Sequence, residues 1–195
     1  MLIKAFPDIA AAIRAGGRAS RKGGINKALI EIGGITVINR TLAIIEPLFG
    51  EIIAAGWPSG DPLPSSVIAV QDNYPGIGPL AGIEAALRAS RTQALFVFGG
   101  DMPWLSADII KKQADYYLKN PSDILVARSE GLPEPLHSIY GKAIHQALVR
   151  YIEEGGSPAI IAFYKFTDTR FFELPQTEET RRALTNINRP ADLKS

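Results

Sequence analysis

Apolar residues recur along the chain in short β-rich runs separated by longer stretches of helical period, the pattern of a mostly parallel sheet with helices on its faces. The runs predict strands at Ile9 to Ile13, Glu51 to Ala55, Val67 to Val70, Ala94 to Phe98, Asp123 to Ala127 and His137 to Tyr140. Ile35 to Leu48 places Ile35, Ile38, Leu42, Ile45 and Leu48 on one face at helical spacing and reads as a crossover helix. Pro79 to Ala89 opens with proline at a first helical position and continues through good helix formers. Ser106 to Leu118 carries Ser106 as N-cap, with Ile109, Ile110 and Tyr117 as apolar contacts, and Ala143 to Glu153 is a further helix. Gly56 to Ser66, with Pro58, Gly60, Pro62 and Pro64, predicts a rigid surface connection, because too little chain lies on either side of it for separate cores. After Glu154 the alternation weakens, and this part is expected to extend the same domain and close one side of a cleft.

Composition narrows the chemistry. The 195 residues can bury roughly 70% of the surface the unfolded chain exposes, enough for a core without disulfides or structural zinc. There is no Cys, which excludes thiol catalysis, iron–sulfur ligation and a disulfide scaffold. Twenty-one Lys+Arg against 20 Asp+Glu leave a net charge of +1, too little for a nonspecific nucleic-acid binder. Lys4, Pro7, Asp8 and Arg14 interrupt any secretory apolar stretch, and runs such as Ala94 to Phe98 and Ala159 to Phe163 fall far short of the ~20 residues of a membrane span. The expectation is a cytoplasmic protein with neither nucleic acid nor membrane as partner.

Three constellations carry chemistry. The first follows the first predicted strand: Ala15-Gly16-Gly17-Arg18-Ala19-Ser20-Arg21-Lys22-Gly23-Gly24-Ile25-Asn26-Lys27. From Arg14 to Lys27 there are five cations and no acid. Such a loop lies at the carboxyl end of a strand, where open α/β sheets bind ligands, and its glycines let backbone amides approach an anion. Gly17 and Gly23 are separated by five residues with no following Lys-Ser/Thr pair, and no G-x-G-x-x-G occurs, so neither a P-loop NTPase nor a Rossmann dehydrogenase is supported. The second is Phe96 to Leu105, in which Asp101 ends a hydrophobic strand and offers the hard oxygen that Mg²⁺ requires; a turn-capping Asp before Pro103 fits the same residues. Asn186 and Asn188, ahead of Pro190, are candidate partners for it or plain turn residues. The third is Gln71 to Gly82, in which Asp72 precedes a Gly/Pro-rich turn into a helix. A carboxylate there matches the two adjacent N–H donors of guanine, unless Asp72-Asn73 merely makes a turn.

In this order the segments resemble the molybdenum cofactor guanylyltransferase family, which builds molybdopterin guanine dinucleotide. The resemblance runs from Ala11 to Leu193. The family's L-A-G-G-x-S-x-R-M-G-x-x-K is matched, with one residue inserted before the lysine, by Ala15, Gly16, Gly17, Ser20 or Ala19, Arg21, Gly23 and Lys27. Its G-P-L-A-G block is intact at Gly78, Pro79, Leu80, Ala81 and Gly82, its Asp stands at Asp101 before Met102-Pro103, and N-x-N-x-P-x-D-L closes at Asn186 to Leu193.

The resemblance implies an α/β, three-layer Rossmann-like nucleotidyltransferase domain over residues 1–195, with a mostly parallel central sheet and helices on both faces. It implies transfer of GMP from GTP to the terminal phosphate of molybdopterin, with release of diphosphate and with Mg²⁺ as cofactor. Catalysis falls to Lys27, Arg21 and Asp101. GTP contacts fall to Ala15, Gly16, Gly17, Lys27, Asp72, Asp101 and the block from Gly78 to Gly82, with Asp101 the metal ligand. Acceptor-side contacts are Arg18, Lys22, His137, Asn186 and Asn188. GTP and molybdopterin are the implied partners, with molybdenum cofactor delivery proteins beyond them, and the protein is expected as a monomer or weak oligomer. Arg14 stands where the family has an aliphatic residue and Lys22 where it has Met. A sister nucleotidyltransferase using CTP or another phosphorylated acceptor, and a noncatalytic nucleotide-binding module, stay open beside it.

Overall fold

The computed structural model describes residues 4–15 and 26–187. Its elements are β1 (Ile9–Arg14), the short hairpin β2 (Glu31–Ile32) and β3 (Ile35–Thr36), α1 (Val37–Ile45), β4 (Ile52–Ala55), β5 (Ile68–Val70), α2 (Pro79–Ala89), β6 (Ala94–Gly99), α3 (Ala107–Lys119), β7 (Ile124–Ser129), β8 (Leu132–Gly141), α4 (His145–Glu153), α5 (Ile160–Phe163), β9 (Thr169–Glu173) and α6 (Glu178–Ala183). Seven strands form one sheet in the order β5-β4-β1-β6-β8-β7-β9. Only β8 runs against its neighbours; β1 pairs parallel to β4 and β6, β4 to β5, and β7 to β9.

Strand alternation sorts the core into two layers. Ile9, Ala11 and Ile13 of β1, with Phe96 and Phe98 of β6, face Ile38, Leu42 and Ile45 of α1 and Ile110, Ala114 and Tyr117 of α3. Ala10, Ala12, Leu95 and Val97 face the other way, onto Leu80, Ile83 and Leu87 of α2 and Leu148 and Ile152 of α4. The result is the three-layer Rossmann-like α/β architecture, with helices on both faces of the sheet.

Local differences from the predicted elements have identifiable causes. The crossover helix begins at Val37, because the Thr36 side chain accepts from Asn39 N as N-cap and the left-handed Gly33 and Gly34 fold the preceding residues into a hairpin. Ile35 therefore leaves the helix and is 48% exposed. Strand β8 starts five residues before His137; over that part it pairs with β7 alone, so Pro133 and Pro135 interrupt no ladder on the β6 side. The connection from Gly56 to Ser66 is anchored through Trp57, which is buried and donates from Nε1 to Asp61 O at 3.3 Å.

Candidate active site

The chain leaves β1 for β4 on one side and later places β6 on the other, so the carboxyl ends of β1 and β6 flank the sheet's topological switch point, the usual ligand crevice of such sheets. Gly100 N donates to Arg14 O at 2.9 Å, and a Cβ on Gly100 would stand 2.8 Å from that same oxygen. Only glycine allows the two strand ends this close, and the approach sets Asp101 at the rim. The Asp101 carboxylate, a quarter exposed, meets Lys27 Nζ at 3.1 Å.

Lys27 opens a 3₁₀ turn, Lys27–Leu29, that packs on α1. The turn is fixed by buried Asn26: its Oδ1 accepts from Ala28 N at 3.1 Å and its Nδ2 donates to Asp61 Oδ2 at 2.9 Å. Asn26 is thus a positioning residue beside the expected lysine, and its N-cap residue type is the one sequence signal for it. A partly exposed pair such as Lys27 and Asp101 adds little stability, about 0–1 kcal/mol. Its placement presents an ammonium and a carboxylate together to the crevice.

Two further groups converge here. Ile187 N donates to Asp101 O at 2.8 Å, which draws Asn186 to the same strand end, and Asn186 Oδ1 is buried with no hydrogen-bond partner. A hard carboxylate and an orphaned amide oxygen drawn to one strand end are donor types that suit a Mg²⁺ ion. Among the described residues no three His, Cys, Asp or Glu side chains gather around such a point, so the ion would complete its shell from phosphate oxygens and water. Glu134 of β8 is the second group, marked beforehand only by its place between two prolines. Burial pushes its carboxyl up and the charge of Asp101 adds to the rise, while the hydrogen bond from Leu136 N opposes both.

The guanine-side segment stands at the end of β5. Gly78 has φ 75° and ψ −141°, a conformation L residues rarely adopt, and it turns the chain into Pro79 at the start of α2. Gln71 Nε2 donates to Trp57 O at 2.8 Å, and Tyr74 OH donates to Glu153 Oε1 at 2.9 Å, so both ends of the Asp72 segment are tied down. Asp72 is half-buried between them.

Several expected contacts are corrected. Leu80 and Ala81 are at most 1% exposed and belong to the α2 core layer, so their side chains face no nucleotide. Gly82 is also buried, and a Cβ there would meet Arg14 Cγ at 3.2 Å; its role is to let the Arg14 stem lie across α2. Gly78 and Pro79 stay partly exposed at the crevice.

His137 is fully buried, edge-on to Phe96 and Phe98 with ring centroids 5.2 and 5.6 Å away, and cannot touch an acceptor. Gln113 Nε2 donates to Leu125 O and His137 O, which turns its Oε1 toward His137 Nδ1 at 3.0 Å; Nδ1 therefore carries the proton. Burial lowers the imidazole pKa to about 4. Gly16, Gly17, Arg18, Arg21, Lys22 and Asn188 lie outside the described residues.

A family profile described as "MobA-like NTP transferase domain" matches residues 11–169. A probable molybdenum cofactor guanylyltransferase of Carboxydothermus hydrogenoformans is 31% identical over 188 residues, covering 95% of this chain and 93% of that protein. The crystal structure of molybdopterin-guanine dinucleotide biosynthesis protein A from Archaeoglobus fulgidus superposes with a TM-score of 0.74 at 22% identity, over 95% of each chain. That of 2-C-methyl-D-erythritol 4-phosphate cytidylyltransferase from Thermus thermophilus does so with a TM-score of 0.67 at 18% identity, over 94% of each, so this fold serves nucleotidyltransferases named for different bases. With its crevice at the β1/β6 switch point and these matches along nearly its whole length, the chain belongs to the family of MobA-like NTP transferase domains.

Proposed function

We propose that the protein transfers GMP from GTP to the terminal phosphate of molybdopterin, releasing diphosphate, with residues 1–195 working as one nucleotidyltransferase domain. The observation that carries this reading is the Lys27–Asp101 pair at the β1/β6 crevice, with Lys27 the last cation of the glycine-rich stretch in the sequence. In-line transfer asks for alignment and charge neutralisation more than for covalent chemistry. An acceptor phosphate oxygen forms a bond to the α-phosphorus as the bond from that phosphorus to the bridging oxygen breaks, and diphosphate departs with the electron pair. The acceptor is already an anion, so no general base is required.

Lys27 neutralises charge on the triphosphate, with Gly16 and Gly17 amides and Arg21 assigned to the same phosphates. Mg²⁺ held by Asp101 and Asn186 would supply further neutralisation of the phosphate oxygens. Asp72 takes the paired donors of guanine, supported by the two tethers that hold its segment. The same reading makes this a cytoplasmic enzyme that hands its product to molybdenum cofactor delivery proteins; among the described residues no helix is long and apolar enough to cross a membrane.

The test is thermal unfolding with GTP, CTP, ATP and UTP, each with and without Mg²⁺. Ligand at ~100 times its dissociation constant adds about 2.7 kcal/mol, roughly 5 to 10 °C in midpoint for a chain of this size. A shift selective for GTP with Mg²⁺ is expected; one selective for CTP overturns the choice of base, and none with any nucleotide overturns the enzyme. Asp72→Asn is expected to weaken GTP binding about tenfold or more, the cost of losing a hydrogen bond to a charged group, about 1.5–3 kcal/mol. Isothermal titration checks it, and an unchanged preference for GTP over ATP would show that guanine is read elsewhere.

A further inference from the structure

Beside the crevice, between α1, the turn after β6 and α6, lies an open cavity of about 830 Å³ that none of the roles above uses. Its volume falls in the usual range for small-molecule sites, ~300–1,000 Å³. Trp104 forms one wall, half-buried, and the Arg182 guanidinium stands 5.8 Å from its ring centroid. Ser106 accepts from Ile109 N as the N-cap of α3 and donates to Glu179 Oε1 at 2.7 Å, which pins α6 to α3 and fixes the opposite wall. Arg40 of α1 reaches in from the third side; its Nη2 donates to Ile32 O, and its Nε is buried without a partner. A rigid π face, a carboxylate pair at Glu178 and Glu179, and the side chains of Arg40 and Arg182 line one space.

We propose that this cavity receives the pterin of the acceptor. This rests on the reading of molybdopterin as acceptor and goes beyond it by assigning where its ring system sits. The pyrimidine ring of a pterin is planar and stacks on an indole face. Its 2-amino-4-oxo pyrimidine edge presents adjacent N–H donors, the pattern a carboxylate accepts, and Glu178 and Glu179 supply carboxylates at the mouth. Arg40 and Arg182 meet the anionic remainder of the molecule. Placement agrees with the chemistry: Trp104 is three residues beyond Asp101, so their Cα atoms are at most about 11 Å apart. The bond from Ile187 N to Asp101 O also ties the chain leaving α6 to the reacting end. A pterin in the cavity can therefore present its side-chain phosphate to the nucleotide held by Lys27 and Asp101.

The experiment measures binding of 6-hydroxymethylpterin phosphate, by its own fluorescence anisotropy, to the full chain and to Trp104→Ala, Trp104→Phe and the double variant Glu178→Gln/Glu179→Gln. GTP affinity and guanylyl transfer to molybdopterin are measured on the same samples. The expected result is at least tenfold weaker pterin binding in Trp104→Ala and in the double variant, partial recovery in Trp104→Phe, and GTP affinity within twofold of the parent throughout. Pterin affinity unchanged in all three variants, or no pterin binding to the parent, overturns the assignment of the cavity. Failure of the functional reading shows separately, as no transfer by the parent to molybdopterin whatever the binding results.

Discussion

Asp101→Asn is expected to slow guanylyl transfer by about a thousandfold, roughly 4 kcal/mol of transition-state stabilisation, with the fold intact. The carboxylate ends β6 at the switch point, where Gly100 brings it against the end of β1. The amide keeps the shape and one hard oxygen but removes the charge that would hold Mg²⁺ and orient Lys27. Little stability is at stake, because the pair is partly exposed and contributes about 0–1 kcal/mol, or at most about 4 °C in a chain of this size. Single-turnover transfer from labelled GTP, beside a thermal unfolding curve, checks both halves. Parent-like turnover in Asp101→Asn would remove the metal role from this residue and leave Asn186 without its assigned partner.

The residues that made this site legible in the sequence are those whose type is dictated by backbone geometry or charge. Gly100, Asp101 and Lys27 stand together because a close strand approach demands glycine and a phosphate site demands opposite charges at one rim. The strands β1, β4 and β6 were equally readable, since strands buried on both faces appear as continuous apolar runs. Edge strand β9 was not: Arg170, Phe171 and Glu173 are exposed, and Phe171 is covered by Arg128 at 4.5 Å rather than by the core, so no alternation marks it. Glu134 and Asn26 were missed because their effect is tertiary. One gains its meaning from Asp101, the other from Asp61, 35 residues away. His137 misled for the opposite reason: a histidine near a ligand crevice and a histidine packed on phenylalanines look alike until burial is known.

That burial makes His137 the source of an acid-dependent loss of stability. Its pKa falls from 6.5 to about 4 on folding, so the folded state resists a proton that the unfolded chain accepts. The contribution is fully present above pH 6.5, declines as pH falls, and is exhausted near pH 4. A shift of this size corresponds to about 3 kcal/mol, roughly two-thirds of it lost by pH 5. His137→Leu removes the proton-binding site but leaves Gln113 Oε1 without its partner, which costs about 1–3 kcal/mol at neutral pH. Urea unfolding of the two proteins from pH 7.5 to 4.5 is therefore expected to show the parent more stable at neutral pH and the gap closing on acidification. All other titrating groups are common to both chains, so the change in the gap isolates His137. Parallel curves would mean that the imidazole titrates near its ordinary value in contact with water, and would return His137 to the crevice as a candidate for the acceptor.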